Sequence, residues 1–276
     1  MKTALLQLNV GDDPAVNLET TTAMIAEAAG QGAKFVLTPE VTNCVSQNRA
    51  HQMRVLQEED ADQTLSGLRK AAIAHDIWLS IGSLALKTGD ADGRFANRSF
   101  LIDPSGAIVA RYDKIHMFDV TVSETETYRE SAGYRPGERA VLADTPFAKI
   151  GLSICYDIRF PYLYRALAQA GAEVLLIPSA FSPVTGAAHW ESLLRARAIE
   201  TGSYVLAAAQ TGTHPATAGK PRTTYGHSMA VSPWGEVLLD MGQEPGIGLV
   251  DLDREAVAQS RGRISSLTHD RPFEGP

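Results

Sequence analysis

The sequence predicts a layered α/β sandwich with mixed β-sheets, and three observations support that prediction. Short apolar runs typical of strands alternate along the chain with segments of helical spacing, which gives about a dozen strands and four to six helices. Some gaps between helices hold two strands, which differs from the strict βα alternation of a barrel. The 276 residues show no composition break, linker or low-complexity segment, so residues 1–276 are predicted to form one domain.

The first half of the chain is predicted to hold five strands and two helices. The first helix begins at Pro14 after Asp12 or Asp13 and ends at Gly30 and Gly32, and the second covers residues 64–75. The turn sequence DPSG at residues 103–106 predicts a hairpin. The predicted strands are residues 4–8, 35–37, 77–84, 97–102 and 108–112.

The second half begins with a polar segment from Asp119 to about Arg139, predicted to be a loop. A loop of this length is a candidate for function. Helices are predicted to begin at Pro161, near residue 188 and near Asp253. The predicted strands are residues 150–154, 174–177, 204–209, 228–231, 236–239 and 248–251, with a hairpin turn SPWG at 232–235.

The bulk composition argues against several classes of function. A formal net charge of -7 does not fit a nucleic-acid-binding protein, which needs a basic face. Two cysteines cannot form a disulfide framework, so the reducing cytoplasm is the expected location. No signal-peptide pattern and no apolar run of about 20 residues is present, so no membrane association is expected.

Cys155 lies at the junction between a predicted strand and a predicted helix. The apolar run 150–154 stops at Cys155, and the helical pattern begins at Pro161. Such a junction can hold a side chain rigidly at the mouth of a sheet while the following N–H groups stay free. A free cysteine is also often an inert core residue, so this position alone leaves both interpretations open.

Glu40 and Lys114 also come directly after predicted strands, where active-site residues are commonly found. A carboxylate in a dry pocket can accept the proton of a thiol, and an ammonium group can stabilise an oxyanion. Taken singly, a Glu or Lys after a strand is usually a solvated loop residue. The sequence around these residues therefore decides how they are interpreted.

That surrounding sequence resembles the nitrilase, or carbon–nitrogen hydrolase, superfamily. The resemblance covers nearly the whole chain, and three motifs occur in the family's order. They are residues 37–40 (LTPE), 112–116 (YDKIH) and 154–161 (ICYDIRFP). By this resemblance Glu40, Lys114 and Cys155 are catalytic, and Glu130 matches a second catalytic glutamate in the loop after the lysine.

The resemblance implies an amidase that works through a cysteine thioester. Lys114 and the backbone N–H of Tyr156 would hold the oxyanion, and Phe181 and Thr185 would shape the substrate pocket. No metal-ligand spacing, GxGxxG motif or phosphate-binding loop is present, so neither a metal nor another cofactor is expected. The implied fold is a four-layer αββα sandwich of the nitrilase type. The implied assembly is a homodimer that buries the helix after Cys155.

Further segments resemble the branch of small ω-amidases, and within it the deaminated-glutathione amidases. The implied substrate is a small carboxylated amide, either deaminated glutathione or an α-keto acid ω-amide. The segments are 179–181 (SAF), 185–191 (TGAAHWE), 194–201 (LRARAIET), 207–210 (AAAQ), 225–229 (YGHSM) and 233–235 (PWG). Two positions depart from the pattern: Tyr162 replaces the usual Glu after Phe-Pro, and residues 42–49 differ from the expected loop.

Two alternatives remain open from the sequence. The same fold could act on N-carbamoyl amino acids or, less in keeping with the segments after Cys155, on nitriles. A catalytically idle relative that serves as a binding or scaffold protein is the third hypothesis. Intact Glu40, Lys114 and Cys155 argue against it, because an idle site usually loses one of its reactive groups.

Overall fold

Two mixed six-stranded β-sheets organise the structure, a computed structural model that describes residues 1–122 and 126–275. Each sheet has three parallel central strands and antiparallel strands outside them. In spatial order, the first sheet consists of β16 (Gly246–Asp251), β1 (Lys2–Gln7), β2 (Phe35–Leu37), β3 (Trp78–Lys87), β4 (Phe95–Ile102) and β5 (Ile108–Asp113). The second consists of β15 (Val237–Asp240), β14 (Met229–Val231), β11 (Tyr204–Ala207), β10 (Val174–Leu176), β9 (Lys149–Leu152) and β8 (Val141–Asp144).

Helices cover the outer faces of both sheets. The first sheet carries α1 (Pro14–Gly30) and α3 (Gln63–His75), and the second carries α4 (Pro161–Gln169) and α5 (Pro183–Thr201). The other α-helices of the described residues are α2 (Arg49–Val55) and α6 (Arg254–Arg263). Two short antiparallel pairs of strands complete the fold: β6 (Asp119–Thr121) with β7 (Thr127–Arg129), and β12 (Thr211–Thr213) with β13 (Thr223–Tyr225).

The alternation of side chains along β1 shows how the layers are held together. Leu5 points between the sheets, into the same buried cluster as Ile150, whereas Leu6 points outward into a cluster with Ile25 of α1. Both faces of this strand are therefore apolar, as expected for a strand buried on both sides. Burying one leucine contributes about 1.5–3 kcal/mol, so both interfaces stabilise the fold.

The predicted fold class is confirmed: the protein is a four-layer αββα sandwich of the nitrilase type with mixed sheets. Most predicted strands lie within a few residues of the observed ones, and the prediction for 35–37 matches β2. Within the described residues, no helix has both the length and the apolar character needed to span a bilayer.

Two element predictions were wrong. The predicted loop from Asp119 to about Arg139, of which residues 123–125 lie outside the described part, contains β6 and β7. These three-residue strands alternate between exposed and half-buried side chains, so they produce no apolar run. Helix α5 begins at Pro183 and not near 188, so Gly186 lies inside the helix. The glycine allows close packing there, since a Cβ would lie 2.3 Å from the ring of Tyr225.

Among the described residues, four further helices or strands were not predicted from the sequence: α2, β8, β12 and β13. Helix α2 has only seven residues, and Asn48 caps it by accepting the N–H of His51 at 2.9 Å. Strands β12 and β13 have three residues each and include exposed positions. Elements this short are stabilised by tertiary contacts more than by local sequence pattern.

Candidate active site

Cys155 opens a 3-10 turn, Cys155–Arg159, that follows β9 and leads into α4. Its backbone φ is 49°, in the left-handed region that non-glycine residues rarely occupy. The N–H of Cys155 donates to the carbonyl of Pro178 at 2.9 Å, and the Asp157 carboxylate accepts the N–H of Ile154 at 2.8 Å. These bonds hold the strained turn, which presents the thiol beyond the carboxyl end of β9.

Glu40 lies just beyond β2 in the first sheet and is 4% exposed. The next residue, Val41, has a φ of 48°, and its N–H donates to Ser83 Oγ at 2.8 Å. Gly82 lets β3 approach this segment, because a Cβ there would lie 2.1 Å from the carbonyl oxygen of Thr38. The segment that carries Glu40 is thus fixed against the neighbouring strand.

Lys114 directly follows β5, and its ammonium group lies between two carboxylates. Nζ is 2.9 Å from Glu40 Oε1 and 2.9 Å from both oxygens of Glu130. Glu130 lies in the short turn after β7, where it also accepts the N–H of Phe118 at 2.6 Å. The lysine is 2% exposed, so both ion pairs are shielded from water.

The structure brings all four predicted catalytic side chains together. Cys155 and Glu40 line the same cavity, where the negative charge of Glu40 acts on the thiol, and Lys114 connects Glu40 to Glu130. The second oxygen of Glu40 accepts the N–H of Ala180 at 2.8 Å. All four side chains line one cavity of about 490 Å³.

Two opposing effects set the charge of Glu40. Burial acts to raise its pKa, but the positive charges of Lys114 and Arg222 and the hydrogen bond from Lys114 outweigh it. The pKa of Glu40 therefore lies below its ordinary value of 4.5. Glu40 is ionised at neutral pH and can accept a proton.

The pKa values of the thiol and the lysine are raised, whereas that of Glu40 is lowered. Burial and the negative charge of Glu40 raise the pKa of Cys155 to about 12, although Lys114 acts to lower it. Burial disfavours the charged form of Lys114, but Glu130 and Glu40 outweigh burial and raise the lysine's pKa well above 10.5. The resting site therefore contains a thiol, a carboxylate and an ammonium group, rather than a preformed thiolate.

Two polar residues in the site had no sequence signal of their own. Asn97 Nδ2 donates to Glu40 Oε1 at 2.8 Å and to Glu130 Oε1 at 3.4 Å. Arg222 lines the cavity, and its Nη2 donates to the carbonyl of Ala180 at 2.6 Å. The Nε atom of Arg222 is buried and has no hydrogen-bond partner among the described residues.

The predicted substrate-pocket residues also lie at this cavity. Phe181, Thr185 and Tyr156 contribute to its wall. The segment that departs from the family pattern does so as well, through residues 44–47 and Arg49. Tyr162, the other departure, is 64% exposed and lies outside the cavity wall.

The fold and this set of side chains define a class of protein: a hydrolase that acts on carbon–nitrogen bonds other than peptide bonds. The chain belongs to the carbon–nitrogen hydrolase family, whose family model matches residues 2–262.

Its relatives agree with this assignment. A curated deaminated glutathione amidase from Yersinia enterocolitica is 40% identical over 273 residues, which are 97% of this chain and 92% of that protein. The crystal structure of the Caenorhabditis elegans NitFhit protein is similar, with a TM-score of 0.89 at 35% identity. The match covers 98% of this chain and 65% of that longer chain. A variant of the Nesterenkonia sp. AN1 amidase, with an acrylamide adduct at its active-site cysteine, has a TM-score of 0.77 at 28% identity, over 96% of this chain and 98% of its own.

Proposed function

We propose that this protein is a cofactor-independent amidase that hydrolyses the carboxamide of a small carboxylated substrate, with deaminated glutathione or an α-keto acid ω-amide as the substrate. The observation that carries the proposal is a buried thiol that shares one cavity with an ionised carboxylate, which is itself paired with a buried lysine. The curated relatives named deaminated glutathione amidases support the choice of substrate.

The first half of the reaction forms a thioester. Glu40 accepts the proton of Cys155 as the sulfur attacks the carboxamide carbon, so the thiolate never has to accumulate. The carbonyl oxygen becomes an oxyanion, which Lys114 and the N–H of Tyr156 stabilise. Glu40 then gives its proton to the leaving nitrogen. This nitrogen departs as ammonia from a primary amide or as an amine from deaminated glutathione.

The second half releases the acid. Glu40, ionised again, accepts a proton from water, which attacks the thioester carbon. The carbon–sulfur bond breaks, and Cys155 recovers a proton from Glu40. Glu130 acts by holding Lys114, since both of its oxygens lie 2.9 Å from Nζ.

The charges of the cavity wall support an anionic substrate. Arg49, Arg129 and Arg222 line the cavity together with Lys114, and the acidic side chains in the wall are Glu40 and Glu130. A substrate carboxylate would balance the excess of positive charge. Phe181 and Thr185 would contact the apolar and amide portions of the substrate.

The test is an activity panel on the purified protein. Deaminated glutathione, an α-keto acid ω-amide, an N-carbamoyl amino acid and a nitrile are compared by product release. We expect turnover of the first two, loss of turnover in Cys155→Ala, and retention in Cys44→Ala, the matched variant at the second cysteine. Normal turnover by Cys155→Ala would refute the mechanism. Preference for the carbamoyl substrate or the nitrile would refute the substrate assignment.

We also propose that residues 1–276 form one domain, that two copies pair through α4, and that the protein works in the cytoplasm. Exposed apolar side chains on α4 and α5, including Tyr162, Val184 and Ile199, support the pairing. Two unpaired cysteines support a reducing compartment. Mass measurement in solution checks the dimer, and a monomer at assay concentration would contradict it.

A further inference from the structure

Asp157 lies two residues after Cys155, is completely buried, and accepts four hydrogen bonds. One oxygen accepts from the Ile154 N–H at 2.8 Å and from the Tyr112 hydroxyl at 2.7 Å. The other accepts from the backbone N–H of His116 at 3.0 Å and from its ring Nδ1 at 2.7 Å. Both lone pairs of each oxygen are thus used.

These partners lie on both sides of the site. Tyr112 and His116 flank Lys114 at two residues before and two residues after it, at the end of β5 in the first sheet. Ile154 immediately precedes Cys155 and follows β9 of the second sheet. A single carboxylate therefore joins the backbone that presents the lysine to the backbone that presents the thiol.

We propose that Asp157 is a positioning residue that fixes the thiol of Cys155 relative to the ammonium group of Lys114. This inference rests on the proposed function, because it assumes that the thiol and the ammonium act on one carbonyl group. Hydrogen bonds accepted by a charged group are stronger than those between neutral groups, so a carboxylate is well suited to hold the two segments together. Attack and oxyanion stabilisation depend on this spacing, and an error of about 1 Å costs about 100-fold in rate.

The tether continues to the surface of the protein. The His116 ring stacks on Phe160 with 3.6 Å between ring centroids, and its Nε2 is hydrogen-bonded to the Tyr162 hydroxyl. Because a carboxylate only accepts, Nδ1 of His116 donates to Asp157. Tyr162, which departs from the family pattern, is thus bonded to His116, and His116 is bonded to Asp157.

The substitution Asp157→Asn tests the tether with almost no change in shape. An asparagine has one acceptor oxygen and one NH₂ group, so in either orientation its NH₂ group faces the backbone N–H of Ile154 or of His116. One of the two backbone segments must then lose its anchor.

The matched control is Asp62→Asn. Asp62 is also buried, at 5% exposure, and accepts the N–H of Leu65 at 2.7 Å at the start of α3. It does not line the cavity. For Asp157→Asn we expect kcat to fall about 10- to 100-fold with little change in KM, and for Asp62→Asn we expect kcat to be kept. The melting temperature should fall more in Asp157→Asn, because Asp157 accepts four hydrogen bonds, so kcat is compared at a temperature at which both variants are fully folded.

A second readout needs no amide substrate. The rate at which iodoacetamide alkylates Cys155, followed by mass spectrometry of its peptide, should fall in Asp157→Asn by a factor similar to that in kcat. Wild-type kcat and alkylation rate in Asp157→Asn, or an equal loss of kcat in Asp62→Asn, would overturn the inference. A wild-type protein that turns over no amide would refute the proposed function alone, since alkylation still tests the placement of the thiol.

If Asp157→Asn does not fold, Tyr112→Phe replaces it, because this change removes one hydroxyl donor and keeps the ring in the core. The expected loss is smaller, about 3- to 10-fold in kcat, with KM unchanged. A Tyr112→Phe protein with wild-type kcat and wild-type alkylation would contradict the tether.

Discussion

Replacing Glu40 by glutamine removes the proposed base and keeps the size of the side chain. The amide oxygen can still accept a hydrogen bond, but the side chain can no longer take the proton of Cys155. Attack must then begin from whatever thiolate is present at equilibrium. The consequence for the rate follows from the electrostatics of the site.

The thiol is a weak acid in this environment. With a pKa of about 12, it is ionised in about one molecule in 10⁵ at pH 7. The negative charge of Glu40 is one cause of that high pKa, so Glu40→Gln lowers the thiol's pKa and recovers part of the thiolate. The net loss should match that of a general base, about 10²- to 10⁴-fold in kcat/KM, or about 3–5 kcal/mol in the activation free energy.

The assay is kcat/KM between pH 4 and pH 10. In the wild type the acidic limb reports Glu40, whose pKa lies below 4.5, so the rate should stay level from pH 7 to about pH 5. In Glu40→Gln the rate should rise with pH across the neutral range, because hydroxide ions must then remove the proton. The control Glu19→Gln changes an exposed glutamate of α1 and should match the wild type.

Two results would refute this reasoning. One is a Glu40→Gln protein that keeps its rate at pH 7. The other is a wild-type rate that already falls between pH 7 and pH 6, which would place the pKa of the base far above that of an ion-paired carboxylate.

Lys114→Met should abolish turnover and lower the free energy of unfolding by about 3–5 kcal/mol, because it leaves the buried carboxylate of Glu40 and the half-buried carboxylate of Glu130 without their cation. Urea unfolding measures this, with Lys34→Met at an exposed ion pair as the control that should change it little. His214 should make stability depend on pH: burial lowers its pKa to about 4 from 6.5, so the unfolded chain binds the proton more readily. Stability should fall by up to about 3 kcal/mol as pH drops from 6.5 to 4, and His214→Gln should lose this part of the slope; an unchanged slope would contradict the assignment.

Glu40, Lys114 and Cys155 could be predicted as candidates because each directly follows a strand with a clear apolar pattern. The position of a strand end fixes where the next side chain can lie, and the family motifs name the residue. The roles of these three residues in catalysis stay predictions until the variants are assayed. The αββα architecture was predictable for a related reason, since it depends on burial patterns that extend over many residues.

Asn97 and Arg222 could not be found in this way. Asn97 lies at the start of a predicted strand, where its amide looks like any polar strand residue. Arg222 belongs to a polar segment beside the short strand β13, and its partner Ala180 is 42 residues away. Contacts over such separations depend on the completed fold, and a single sequence carries no local trace of them.

The division of the site between the two sheets explains why so many of its bonds cross from one sheet to the other. Glu40 and Lys114 follow strands of the first sheet, whereas Cys155 and Ala180 follow strands of the second. No short stretch of chain links the base to the thiol, so the packing of the sheets sets their separation. The Ala180 N–H and the Gln210 side chain, which donates to the backbone carbonyl of Glu40 at 3.0 Å, hold Glu40 from the second sheet. Asp157, beside Cys155, makes a further connection from the second sheet to the end of β5, which carries Lys114, so both Glu40 and Lys114 are held by residues of the sheet that does not carry them.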